Sequence, residues 1–111
     1  MSYVCQINSD LEKVYFLPYV NGSDYSTVTC GFKPKKILIG RSGGTNVYPY
    51  SCWYDESISS STCYYWNASS SNAKNSATIN SSAKYITGIT DNGFTLGNAL
   101  TSQKLTILAV G

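Results

Sequence analysis

The sequence predicts an all-β fold: a single, jelly-roll-like β-sandwich over residues 1–111, mainly antiparallel, with about eight to ten short strands. Three observations predict it. β-branched and aromatic runs recur about every ten residues, each bounded by Gly, Asn, Asp, Ser or Pro. No stretch keeps a helical period for more than about two turns. Residues 104–110 (Lys-Leu-Thr-Ile-Leu-Ala-Val) form the cleanest strand of all.

The elements follow in order. Residues 3–7 alternate and predict a first strand. Residues 13–20 predict a second, with Pro18 marking an edge or a bend. Asn21-Gly22-Ser23-Asp24 is a turn by its chemistry. Residues 25–30 alternate again, and Gly31-Phe32-Lys33-Pro34 breaks the pattern. Residues 36–39 are a short apolar run, expected to be buried on both faces. Residues 41–46 (Arg-Ser-Gly-Gly-Thr-Asn) read as a loop. Residues 51–56 and 62–67 are aromatic strands that can pair as a hairpin. In them Cys52 and Tyr54 face opposite to Trp53 and Asp55, and Cys63 and Tyr65 opposite to Tyr64 and Trp66. Residues 68–76 form a polar loop, and 77–79 and 84–89 are weaker strands. Asp91-Asn92-Gly93 is a tight turn into Phe94-Thr95-Leu96.

A length of 111 residues fits one domain. Charged residues make up 13% of the chain, half the usual ~25%. Aromatics reach 14%, ten of them tyrosines, which argues against disorder. A surface of hydroxyls, amides and phenols suits neutral polar partners, such as sugars or another protein surface. Net charge is +2, and the one basic cluster is Lys33, Lys35 and Lys36. A nucleic-acid partner is therefore not expected. Met1-Ser2-Tyr3 does not open a signal peptide, and no apolar run approaches the ~20 residues of a membrane span. The expectation is cytosolic synthesis without membrane insertion. The sequons at Asn21, Asn67 and Asn80 then reflect composition alone.

Catalytic chemistry has few candidates. There is no histidine, which excludes Ser-His-Asp and Cys-His arrangements within one chain. The six carboxylates are Asp10, Glu12, Asp24, Asp55, Glu56 and Asp91. Asp55 and Glu56 point to opposite faces of a strand and cannot both serve one cleft. Asp24 and Asp91 fit turn caps. Cys5, Cys30, Cys52 and Cys63 include no C-x-x-C pair, so they read as packed free thiols rather than metal ligands. A Cys52–Cys63 disulfide stays open for an oxidising medium. Arg41-Ser42-Gly43-Gly44-Thr45 lacks the Gly-Lys-Ser/Thr ending of a phosphate loop. No enzyme activity, cofactor or metal is expected.

The strongest local signal is aromatic: Tyr48, Tyr50, Trp53, Tyr54, Tyr64, Tyr65 and Trp66. Tyrosine and tryptophan combine an apolar face with a polar tip, and both are enriched at recognition surfaces. Trp53, Tyr54 and Trp66 are expected in the core or between subunits.

Gly31-Phe32-Lys33-Pro34-Lys35-Lys36-Ile37-Leu38-Ile39 resembles the "GFxPxxVxI" segment of phage tail-fibre and virion structural domains. The likeness continues through Cys52-Trp53-Tyr54-Asp55. It extends to Asp91-Asn92-Gly93-Phe94-Thr95-Leu96-Gly97, similar to "xxGFxLG", and to the closing 105–111 strand. It covers residues 28–111. The structural motif is thus Gly31, Phe32, Pro34, Trp53, Asp55, Gly93 and Phe94, with Gly31 and Gly93 expected to supply unusual backbone angles. The resemblance implies a homotrimer located in the virion, in contact with other virion proteins. The expected function is a fibre-tip, receptor-binding domain that recognises a host cell-surface glycan or protein. Its ligand-binding residues would be Tyr48, Tyr50, Tyr64, Tyr65, Arg41 and Asn46. A non-binding structural module (baseplate, fibre cap or decoration protein) and a cryptic polysaccharide hydrolase are the alternatives.

Overall fold

The computed structural model describes residues 13–42, 51–66 and 74–111. Its elements are β1 (Val14–Asn21), a 3-10 turn (Gly22–Asp24), β2 (Thr27–Thr29), β3 (Lys36–Ser42), β4 (Ser51–Asp55), β5 (Thr62–Trp66), β6 (Lys74–Thr78), β7 (Ile86–Thr90), β8 (Gly93–Leu96), α1 (Asn98–Thr101) and β9 (Lys104–Val110). The fold is all-β. Six strands form one sheet in the order β1-β9-β3-β4-β5-β6, and three form another in the order β2-β8-β7. Every pairing among the described residues is antiparallel. The expected strand at 3–7 lies outside the described residues. Among those described, no helix is long and apolar enough to cross a membrane.

The core follows from period-two alternation. Ile37 and Ile39 of β3, Cys52 and Tyr54 of β4, Cys63 of β5, and Leu105, Ile107 and Ala109 of β9 are all buried. Val28, Ile86, Phe94 and Leu96 meet them from the smaller sheet, and Leu100 joins from α1. Each fully buried Ile, Leu or Phe contributes about 1.5–3 kcal/mol relative to exposure. Pro18 stands where the β1–β9 register slips, between Leu17 and Val20, on the outermost strand. Its carbonyl accepts a hydrogen bond from Thr106 Oγ1 at 2.7 Å. A residue without an N–H is tolerated there because no ladder bond is lost.

One expectation changes. The 36–39 run is buried on one face only: Ile37 and Ile39 point inward, while Leu38 is 52% exposed. Three consecutive apolar residues conceal which face is covered. Trp53, expected in the core or between subunits, lies on the same outer face as Leu38, because it is Leu38's direct partner across β3–β4. Tyr54 is buried as expected, and the Trp66 side chain lies outside the described part. The short helix α1 was not anticipated.

The two motif glycines serve different ends. Gly31 has φ +87°, a left-handed conformation that turns the chain before the buried Phe32. Gly93 has no such angle and is needed for close approach instead: a Cβ there would sit 1.9 Å from the Val28 carbonyl oxygen of β2. The backbone N–H groups of Cys30 and Gly31 both donate to the Asn92 carbonyl, at 2.8 and 2.9 Å, and lock this corner.

Gly93→Ala is expected to destabilise by about 1–3 kcal/mol or more through forced separation of β2 and β8. Gly31→Ala should cost about 1–2 kcal/mol through its backbone alone. Ile107→Ala should cost about 2–5 kcal/mol. Urea unfolding midpoints check all three, and an unshifted midpoint for Gly93→Ala would contradict the close-approach account.

Candidate functional site

The larger sheet places its tyrosines on two opposite surfaces, because successive strand residues alternate sides. Tyr65 of β5 points to the core side, near the sheet's β6 edge. There it stacks on Tyr85, just before β7, with ring centroids 4.3 Å apart and planes 17° from parallel. The stack joins the two sheets. Both rings are half-buried, and they help line a groove of about 300 Å³ with Thr78, Asn80, Ser82 and Lys84. A second depression, of about 410 Å³, shares Ser82, Ala83 and Lys84 and adds Thr87, Gly97 and Asn98. Together they make a trough with an aromatic end and hydroxyl, amide and ammonium groups along it.

Local hydrogen bonds shape the trough wall. Asn80 Oδ1 accepts from the Ser82 N–H at 3.0 Å and from Ser82 Oγ at 2.9 Å, and the Ala83 N–H donates to the Asn80 carbonyl at 3.0 Å. This Asn-Ser-Ser turn needs no folded partner to define its shape. On the smaller sheet, Thr87 Oγ1 donates to Thr95 Oγ1 at 2.6 Å. No carboxylate lines the trough among the described residues.

The opposite surface is apolar. Phe16, Leu108, Leu38, Trp53 and Tyr64 stand in direct register across β1, β9, β3, β4 and β5. Trp53 and Tyr64 stack with centroids 5.8 Å apart. Phe16 is 56% exposed and Val14 is 63% exposed. The next row runs Val14, Val110, Lys36, Asp55. A shallow groove of about 270 Å³ lies between the rows, lined by Lys36, Leu38, Trp53, Asp55, Leu108 and Val110.

Of the six residues expected to bind ligand, the structure brings only Tyr65 to the trough. Tyr64 lies on the apolar face. Arg41 is not in a loop: it belongs to β3, and its Nη1 donates to the Ala99 carbonyl of α1, which ties helix to sheet. Tyr48, Tyr50 and Asn46 lie outside the described residues. Asn80, Ser82, Lys84 and Tyr85 were missed. The Asn-Ser-Ser turn signal was present, but nothing local tells that Tyr85 meets Tyr65.

Asp55 is a turn cap. Its Oδ1 accepts from Ser57 Oγ at 2.7 Å and from the Ser57 N–H at 3.0 Å, and its carbonyl accepts from the Ile58 N–H at 2.9 Å. The Ser57 hydroxyl first, then its N–H, with Lys36 across the ladder, hold the Asp55 carboxyl below the usual carboxylate range. Cys52 and Cys63 are free thiols in the core. The Cys63 side chain and burial push the Cys52 thiol well above its ordinary range.

No protein-family model, no curated protein and no solved structure matches this chain. The class the geometry defines is an all-β, two-sheet chain with a polar tyrosine trough on one side and an apolar sheet face on the other.

Two outcomes follow. Because the folded pKa of Asp55 is lowered, its contribution is fully present above the unfolded value of about 3.9 and is lost as pH falls through the folded value. Ser57→Ala should flatten the stability profile below about pH 4, as thermal melts across pH will show. In the native state an alkylating reagent should reach the half-buried Cys30 before Cys52 or Cys63, with mass spectrometry of digested fragments as the readout.

Proposed function

We propose that this chain is a glycan-binding module, the receptor-binding end of a phage tail fibre, and that the Tyr65–Tyr85 trough holds a neutral sugar of the host cell surface. The observation that carries the reading is the trough itself: stacked tyrosines beside Thr78, Asn80, Ser82 and Lys84. A sugar offers a C–H face to an aromatic ring and hydroxyls to amides and hydroxyls, and those groups stand together here. The low charge of the chain agrees with an uncharged ligand. The resemblance over residues 28–111 supplies the virion setting. With no described carboxylate along the trough, the reading is binding without hydrolysis.

A second reading, a structural virion module without a ligand of its own, draws on the apolar outer face. The two differ in whether the isolated chain binds cells.

Asn80 and Lys84 are exposed, so Asn80→Ala/Lys84→Ala should leave the fold intact. Titration of purified host surface polysaccharide into this variant and into Tyr65→Ala should show affinity reduced by about tenfold or more, the equivalent of about 1.4 kcal/mol. Undiminished affinity in both would remove the trough as the sugar site. Failure of the native chain to bind host cells would turn the reading to the structural module.

A further inference from the structure

Leu38, Phe16 and Val14 are each more than half exposed on the single chain, and they belong to one continuous apolar face with Leu108, Trp53 and Tyr64. Contiguous exposed apolar surface rimmed by polar groups marks an interaction site. Its charges identify the partner. Among the described residues, the charged side chains lining its groove are Lys36 and Asp55, one of each sign, directly opposite each other on β3 and β4.

That placement is self-complementary. Consider a second copy rotated by 180° about an axis running along the strands, midway between β3 and β4. The rotation lays β3 of one copy over β4 of the other. Lys36 then faces the partner's Asp55, and Asp55 faces the partner's Lys36. Leu38 faces the partner's Trp53, and Leu108 faces the partner's Tyr64, since β9 and β5 are each one strand further out. In the central strands each of these two charges meets its opposite and Leu38 and Leu108 meet aromatic rings, as an isologous contact requires, while at the margin Phe16 meets the partner's Ser76. Aligned sheets pack this way about 10 Å apart.

We propose that the outer face of the six-stranded sheet is the docking surface for a second copy of this chain, through this two-fold pairing. The arrangement differs from the threefold one that the resemblance implies. It lies on the far side of the sheet from the Tyr65–Tyr85 trough, so sugar binding and pairing can be tested separately. Six strands and about five residues per strand give a footprint of roughly 24 by 17 Å. That is about 400 Å² per copy, roughly half the ~800 Å² per partner of a standard interface, so pairing should be weak and grow with concentration.

The test is sedimentation of the full chain over a range of concentrations, with far-ultraviolet circular dichroism to confirm folding. The native chain should reach twice its monomer mass. Lys36→Asp alone sets like charges face to face in both halves of the contact, as does Asp55→Lys alone. Each should weaken pairing by about tenfold or more, the scale of a 1.4 kcal/mol loss. An equal mixture of the two variants restores opposite charges at both positions and should recover the dimer as a mixed pair. Asp55→Lys also removes the turn cap. Should it fail to fold, Leu38→Lys, at an exposed position, carries the test: it should leave a folded monomer. A native chain that stays monomeric, a native trimer, a mixture that fails to pair while both variants are folded, or a Leu38→Lys chain that still dimerises would each overturn the proposal.

Discussion

Strand β9 is hydrogen-bonded on both sides, and the larger sheet is assembled around it. β1 pairs with one edge and β3 with the other, in register over the whole of β3. Reciprocal bonds between Lys13 and Gly111, both at 2.9 Å, extend the β1 side beyond the strand ends. The same strand supplies Leu105, Ile107 and Ala109 to the core, all fully buried. Without β9, β1 has no partner in the sheet and β3 keeps only β4. The ladder also sets the face on which every neighbouring side chain lies, because a shift of one residue would turn Leu38 inward and Ile37 outward.

The unequal size of the two sheets explains where the candidate surfaces are. Six strands face three, so the smaller sheet covers only one side of the larger one, and covers it incompletely. Toward the β6 edge the Tyr65–Tyr85 stack bridges the sheets, and the polar trough opens beside it. The other side of the large sheet receives nothing from the described residues, yet it carries Phe16, Leu108, Leu38, Trp53 and Tyr64 in one row. Binding groove and apolar face are thus two results of a single mismatch in strand number.

Much of the fold was legible because β-strands write themselves in a period of two. Residues 104–110, 51–55 and 62–66 show that period, which groups Cys52 with Tyr54 and Cys63 with Tyr65, and the structure turns both of these sets inward. Pro18 announced its own edge position, since a residue without an N–H has few other places in a sheet. The failures are equally physical. Ile37-Leu38-Ile39 contains no polar residue to mark the outward side, so it read as doubly buried. Asn98–Thr101 is one turn of helix, too short to show any period. Gly93 announced that something was special, but a close approach to Val28 depends on a strand far earlier in the chain, and no local pattern encodes it. Tyr85 was lost for the same reason: its role exists only once β5 and the start of β7 are brought together.

The position of β9 also has a kinetic meaning. Lys36 pairs with Val110 and Val14 pairs with the same residue, so this strand meets neighbours from the far side of the sequence. Closing such long loops is slow, and few contacts reward it until the strand is in place. Meanwhile β1 and β3 are open edges carrying Phe16 and Leu38, ready to recruit a strand from another chain. Correct folding is therefore a race between β9 of the same chain and a neighbour's strand. Dilution and low temperature during refolding should favour the chain's own strand.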